Sequence, residues 1–142
     1  MAKTDVQGIK GRKQIYHAVY DFAKDGGVDD TPIEMFALAA NTIVHDFWHE
    51  VETSVTSAGS ATLEVGLTGG DTDGILTQVG KATLVADYVS SPDEKGALLY
   101  DSTDDHNIRK KFTAADTLDL LIGTADLTAG KVHFYVEASS GY

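Results

Sequence analysis

The chain has 142 residues, of which 42% are hydrophobic and 23% are charged, and this size and composition correspond to one globular domain. It contains no cysteine, so a disulfide framework, a cysteine nucleophile and a cysteine-containing zinc site are excluded. No apolar run reaches the ~18 residues of a membrane span, and the N-terminus lacks the apolar stretch of a signal peptide. We therefore expect a soluble and unprocessed chain.

Charge is distributed unevenly along the chain. The 22 acidic and 11 basic residues give a formal net charge of −11, which repels nucleic acids and anionic membranes, so we expect neither as a partner. The first residues are nevertheless basic, and we divide the chain into a basic N-terminal arm, residues 1–11, and a single domain, residues 12–142. Two interpretations of the arm stay open: a solvated terminus, and a tail that binds an acidic neighbour.

Short runs in which apolar and polar residues alternate recur between clusters of turn-forming residues. The clearest runs predict strands at residues 14–22, 62–67, 117–122 and 132–138. Weaker signals predict strands at residues 33–40, 83–89, 97–100 and 108–113, and we interpret residues 71–79 as a helical turn or a loop. No amphipathic helices separate the strands, so parallel crossovers are not available. We predict an all-β fold, an antiparallel β-sandwich or jelly roll of about eight short strands.

Residues 42–55 carry two conflicting signals. Their apolar residues fall within an arc of about 140° on a helical wheel, which indicates a helix. Their composition is rich in β-branched and aromatic residues, and a small-residue turn joins them to the alternating residues 61–67, which indicates a β-hairpin. We predict a strand with the following residues on one face: Ile43, His45, Phe47, His49, Val51, Thr53 and Val55.

His45 and His49 form an H-D-x-x-H pattern that is related to the zinc motif H-E-x-x-H. On a helix the two imidazoles would lie about 6 Å apart and converge on one metal ion. On a strand they would lie about 13 Å apart, at roughly 3.3 Å per residue, and chelation is not feasible. The strand prediction therefore leaves a metal-dependent hydrolase as the least favoured function.

Two acidic turns contain oxygen ligands of the kind that cations prefer. Residues 71–74 begin like a calcium loop, but Ala82 stands where such a loop requires glutamate. The second turn contains Asp101, Asp104, Asp105, His106 and Asn107. We interpret both as solvated turns and predict no metal site and no cofactor. The chain also lacks a G-x-S-x-G elbow and a phosphate-binding loop, so we predict no catalytic residue and no enzymatic activity.

Three segments combine strands and turns in a distinctive way. They are TIVHDFWHEVETSV continuing through a small-residue turn into ATLEVGL, then DTDGIL, and finally LDLLIG followed by LTAGKVHFYVE. This arrangement resembles the small virion structural proteins of tailed bacteriophages, namely decoration or cement proteins and allied head and fibre proteins. The resemblance implies a β-sandwich on the capsid surface of the virion, commonly a homotrimer, that binds the major capsid protein and has no enzymatic activity.

From these features we predict a capsid decoration or cement protein that binds the assembled head and stabilises it. The alternative is a tail or head fibre domain that binds a host receptor or glycan. The predicted contact residues are the cations near the N-terminus, which suit an acidic neighbour, and aromatic residues, which carry much of the binding energy in interfaces. They are Lys3, Lys10, Arg12, Lys13, Tyr16, Tyr20 and Trp48.

Overall fold

A computed structural model describes residues 2–6 and 11–142. These residues form eleven strands and two short helices, and neither helix is long and apolar enough to cross a membrane. The elements in chain order are β1 (Thr4–Val6), β2 (Gln14–Asp21), α1 (Phe22–Asp25), β3 (Ile33–Leu38), β4 (Thr42–Thr56), β5 (Thr62–Gly66), β6 (Leu76–Gly80), a 3-10 helix (Pro92–Glu94), β7 (Tyr100–Asp101), β8 (His106–Asn107), β9 (Lys110–Phe112), β10 (Asp116–Gly123) and β11 (Ala129–Ser140).

Two sheets pack face to face. One has the strand order β1-β3-β10-β5-β6 and the other has the order β2-β11-β4-β9, while β7 and β8 form a separate pair. Every pairing is antiparallel except that of β1 with β3. Successive strands mostly lie in different sheets, so the chain crosses repeatedly between the two sheets. The predicted all-β sandwich is confirmed.

The core lies between the inward faces of the two sheets. Phe36 of β3 meets Phe47 of β4 edge to face, with ring centroids 6.3 Å apart, and Phe47 stacks on Phe134 of β11 at 5.9 Å. Such aromatic pairs contribute about 0.5–1.5 kcal/mol beyond the burial of their area. Eight apolar residues of the predicted runs 62–67, 117–122 and 132–138 are buried here: Leu63, Val65, Leu118, Leu120, Ile122, Val132, Val136 and Ala138.

The pairing of β4 with β11 is irregular, and the irregularity decides which side chains face the core. Asp46 pairs with Glu137 and Val44 pairs with Ala138, so His45 is an extra residue in β4. Such a β-bulge shifts the alternation of faces by one position. Val44 and His49 are therefore both buried, while His45 lies on the outer face. The prediction that His45 and His49 share one face is wrong for this reason.

The long connection between β6 and β9 also differs from the prediction. Residues 83–89 form no strand of their own but run along the free edge of β4, where Val51 and Val55 donate N–H hydrogen bonds to the carbonyls of Tyr88 and Leu84, both at 2.9 Å. Residues 76–79, which we interpreted as part of a helical turn or loop, belong to β6 and pair with β5. The sequence did not predict this strand, because glycine and aspartate residues, which favour turns, lie just before it.

Part of the N-terminal arm belongs to the sandwich. Strand β1 pairs in parallel with β3, and the side chain of Val6 is only 2% exposed. Nζ of Lys3 lies 2.7 Å from Oδ1 of Asp25 in α1. Residues 4–6 of the predicted arm thus contribute one buried side chain that their sequence alone did not mark as part of the core.

Replacement of Val6 by alanine should lower the free energy of unfolding by about 2 kcal/mol, because buried methyl groups are lost and a cavity remains. The control is Asp5→Ala on the exposed face of the same strand, which should change stability by less than about 0.5 kcal/mol. Urea denaturation followed by tryptophan fluorescence measures both variants. Equally small effects would show that β1 is not part of the core.

Candidate functional site

The residues predicted to contact a partner do not form one surface. Tyr20 is 0% exposed, and its hydroxyl donates a hydrogen bond to the carbonyl of Gly26 at 2.6 Å. The prediction that Tyr20 contacts a partner is therefore wrong, because its side chain does not reach the surface. Tyr16 is half-buried and packs against the core. Lys10 lies outside the described residues. The remaining predicted residues, Lys3, Arg12, Lys13 and Trp48, have side chains that reach the surface.

Stacked rings cross the outer face of the four-stranded sheet. Trp48 of β4 stacks on Tyr135 of β11 with centroids 5.5 Å apart, and Tyr135 stacks on His17 of β2 at 4.9 Å. We call Trp48, Tyr135, His17 and His133 the ring row. Cross-strand pairing explains it, because Tyr135 is the register partner of both Trp48 and His17. Partly exposed aromatic residues of this kind are enriched in protein interfaces.

A carboxylate orients one end of the ring row. Oε1 of Glu52 lies 2.9 Å from Nε2 of His133, and Oε2 lies 3.0 Å from Nζ of Lys131. Hydrogen bonds from these two groups lower the pKa of Glu52. His133 therefore presents Nδ1 to Nε2 of His17, which is 2.7 Å away, and desolvation by burial together with the neighbouring His133 lowers the pKa of His17. The rings are held in place by a hydrogen-bonded chain rather than by stacking alone.

A cavity of about 390 Å³ opens on the same sheet where β2 begins and β11 ends. Lys13 and Arg109 line it from opposite sides, with His45 between them, and we call it the basic cavity. Nε2 of His45 lies 2.7 Å from Oγ of Ser139, whereas its Nδ1 is buried and has no hydrogen-bond partner among the described residues. Burial and the charges of Arg109 and Lys13 lower the pKa of His45. Lys13 and Arg109 thus place two positive charges in a cavity whose lining also contains the carboxylates of Asp46 and Glu137.

Sequence reasoning missed Arg109 as a functional residue. The signal was the run of cations at residues 109–111, which stands out in a chain of net charge −11. The run lies almost a hundred residues from Lys13, and the two meet only because β9 pairs with the start of β4 while β4 pairs with the end of β11. No local pattern contains that information.

The acidic turns have local structural explanations. Ligand atoms of Asp101, Asp104 and His106 lie within 4.8 Å of one another, but Oδ1 of Asp101 already accepts a hydrogen bond from the backbone N–H of Thr103 at 2.9 Å. This is the usual geometry of an aspartate-stabilised turn. A hydrogen bond with Asp73, followed by burial, raises the pKa of the exposed Asp71. His45 and His49 lie on opposite faces of β4, so the H-D-x-x-H pattern does not form a chelating pair.

His49 is a core residue. It is 0% exposed, its ring lies 5.9 Å from that of Tyr88 and 6.0 Å from that of Phe134, and neither of its nitrogens has a hydrogen-bond partner among the described residues. Burial lowers its pKa to about 4, and the nearby Glu94 opposes that shift only in part. His49 is therefore neutral at neutral pH and serves as a packing residue behind the loop that covers the edge of β4.

No protein-family model and no curated protein matches the sequence. Solved structures do match the fold. A chain of the acidic stable capsid of Helicobacter pylori bacteriophage KHP30 is 12% identical with a TM-score of 0.59, and the match covers 93% of this chain and 90% of that chain. A chain of the cyanophage Pam1 capsid asymmetric unit is 17% identical with a TM-score of 0.57, covering 94% and 88%. A chain of the Ralstonia phage GP4 capsid is 14% identical with a TM-score of 0.54, covering 98% and 91%.

This chain and the three phage capsid chains share a fold. Each match spans nearly all of both chains, so the neighbours are themselves chains of similar length rather than domains cut from much larger ones. The resemblance to small structural proteins of phage virions is confirmed at the level of architecture.

The free energy of unfolding should fall as the pH drops from 6.5 to about 4, because unfolded His49 takes up a proton that the folded protein excludes. His49 alone should lower the free energy of unfolding by about 3 kcal/mol over this window. Each unit of difference between its pKa in the unfolded and in the folded protein corresponds to about 1.36 kcal/mol. His49→Leu should remove this part of the slope without loss of stability at pH 7, since no hydrogen bond is broken. Urea denaturation between pH 4 and 7.5 measures how the free energy of unfolding depends on pH. His106→Leu at an exposed position is the control, and equal slopes in both variants would contradict the assignment.

Proposed function

We propose that the protein is a structural component of a phage virion, a decoration or cement protein that binds the outside of the assembled head and has no enzymatic activity. The observation that supports this proposal most strongly is the likeness over nearly the whole chain to chains of three phage capsids.

The proposed partner is the major capsid protein of the head. A head under pressure from packaged DNA pushes its shell subunits apart, and a protein that bridges several of them adds binding energy that only the assembled lattice offers. A homotrimer would suit the local three-fold positions of such a lattice, because matching symmetry repeats the same contact three times. The ring row supplies the aromatic surface that interfaces favour, and it is rigid because Glu52 and Lys131 hold one end of it.

Separation of heads, tails and whole particles on a gradient, followed by quantitative mass spectrometry, tests the location of the protein. Many copies per head would support the decoration or cement function. Presence in tails alone would favour the alternative, a fibre domain that binds a host receptor or glycan. Absence from every particle would overturn the virion proposal.

Removal of Trp48, at one end of the ring row, should weaken attachment to the head. We expect Trp48→Ala to raise the dissociation constant for heads that lack the protein about tenfold or more, because a partly exposed tryptophan commonly carries much of the binding energy in an interface. Val85→Ala is the control, since Val85 is 49% exposed on the loop that covers β4. Co-sedimentation of purified variants with heads measures the constant, and circular dichroism confirms folding. Equal affinities for both variants would remove the ring row from the contact surface.

A further inference from the structure

The basic cavity contains a cation without an acceptor. Asp46 in the cavity wall is already neutralised, because its Oδ1 lies 2.9 Å from Nζ of Lys95, whose side chain is only 6% exposed. Glu137 lies 3.6 Å from Lys13, a loose ion pair in which the lysine side chain remains 57% exposed. Arg109 is exposed and has no hydrogen bond or ion pair with any residue in the ranges 2–6 and 11–142. Its planar guanidinium is free to bind.

The donors around the cavity suit a carboxylate. A guanidinium presents parallel N–H groups that match the two oxygens of a carboxylate, and a nearby lysine adds a second positive charge. His45 also lines the cavity, and its Nδ1 is buried and lacks a hydrogen-bond partner among the described residues. Any acidic side chain that reaches Arg109 also gains the attraction of Lys13, because both line the same cavity.

The same chain carries the complementary surface. Four exposed carboxylates line a second concave surface of about 490 Å³, and we call Asp71, Asp73, Asp93 and Asp105 the acidic rim. The cation that lines this surface is Lys95, which is already bound to Asp46. The pKa of Asp71 is raised by its hydrogen bond with Asp73, then by burial and by the charge of Asp73, as expected where carboxylates lie close together.

We propose that the basic cavity of one copy binds the acidic rim of a second copy, with Arg109 and Lys13 as the cations. The two surfaces differ, so the contact is heterologous: it closes into a ring if each copy is rotated suitably against the next. Complementary charge on one chain explains how copies with a net charge of −11 associate despite their overall repulsion. The contact supplies a physical basis for the self-association in the proposed function, and it is tested on isolated protein without heads.

Sedimentation velocity at 50 mM and 500 mM NaCl gives the first test. We expect the wild-type protein to self-associate at low salt and to shift toward monomer at high salt, because exposed charge pairs are screened. Arg109→Glu should weaken self-association at least tenfold at 50 mM NaCl. The control Lys24→Glu changes the net charge equally at an exposed position outside the basic cavity and should retain association. A monomeric wild type, or equal behaviour of the two variants, overturns the proposal.

Mixing of complementary variants gives the second test. Arg109→Glu keeps an intact acidic rim, and Asp73→Lys keeps an intact basic cavity, so each should be monomeric alone while an equimolar mixture forms a one-to-one dimer through the single intact contact. A mixture that stays monomeric, or an Asp73→Lys variant that self-associates like the wild type, rejects the pairing of these two surfaces. Circular dichroism shows that both variants are folded. Head binding is measured separately, so failure here does not decide the proposed virion function, and failure of head binding does not decide the contact.

Discussion

The antiparallel pairing of β4 with β11 is the constraint on which the rest of the structure depends. It occupies the centre of one sheet, and its inward side chains Phe47 and Phe134 form the middle of the core. On the opposite face the same register stacks Trp48 on Tyr135. The bulge at His45 lies within this pairing and sends one histidine toward the basic cavity and the next, His49, into the core. Core, ring row and cavity are therefore consequences of a single strand register.

The sequence was sufficient for the fold class and for the central strands, because a strand with one buried face must alternate along its length. It was not sufficient for register. One extra residue in β4 reverses which side chains face the core, and this bulge forms only through pairing with β11, which is far away in the chain. Residues 83–89 were mistaken for a strand because their apolar composition suits the edge of β4, which they cover as a loop. The basic cavity depends on Lys13 and Arg109 being brought together by the sheet, which no local pattern expresses.

Net charge and local charge have different consequences in this protein. The value of −11 describes the field far from the molecule and disfavours nucleic acid and anionic membranes as partners. Within about one Debye length of the surface, which is about 8 Å at physiological ionic strength, individual groups dominate instead. At that range the exposed Arg109 and the neutralised Asp46 matter more than the total charge.

The segment that runs along β4 has a further consequence for behaviour at high concentration. β4 is the longest strand, and β9 covers only its first residues, Thr42–Val44. Without the backbone hydrogen bonds from Val51 and Val55 to the loop, the rest of that edge would expose a row of unpaired amides and carbonyls, a ready template for sheet extension and fibre formation. The backbone of the loop forms hydrogen bonds with this edge. At the opposite edge of the sheet, the hydroxyl of Thr4 donates a hydrogen bond to the carbonyl of His17 in β2. The loop thereby protects this edge of β4 against pairing with another copy of the chain.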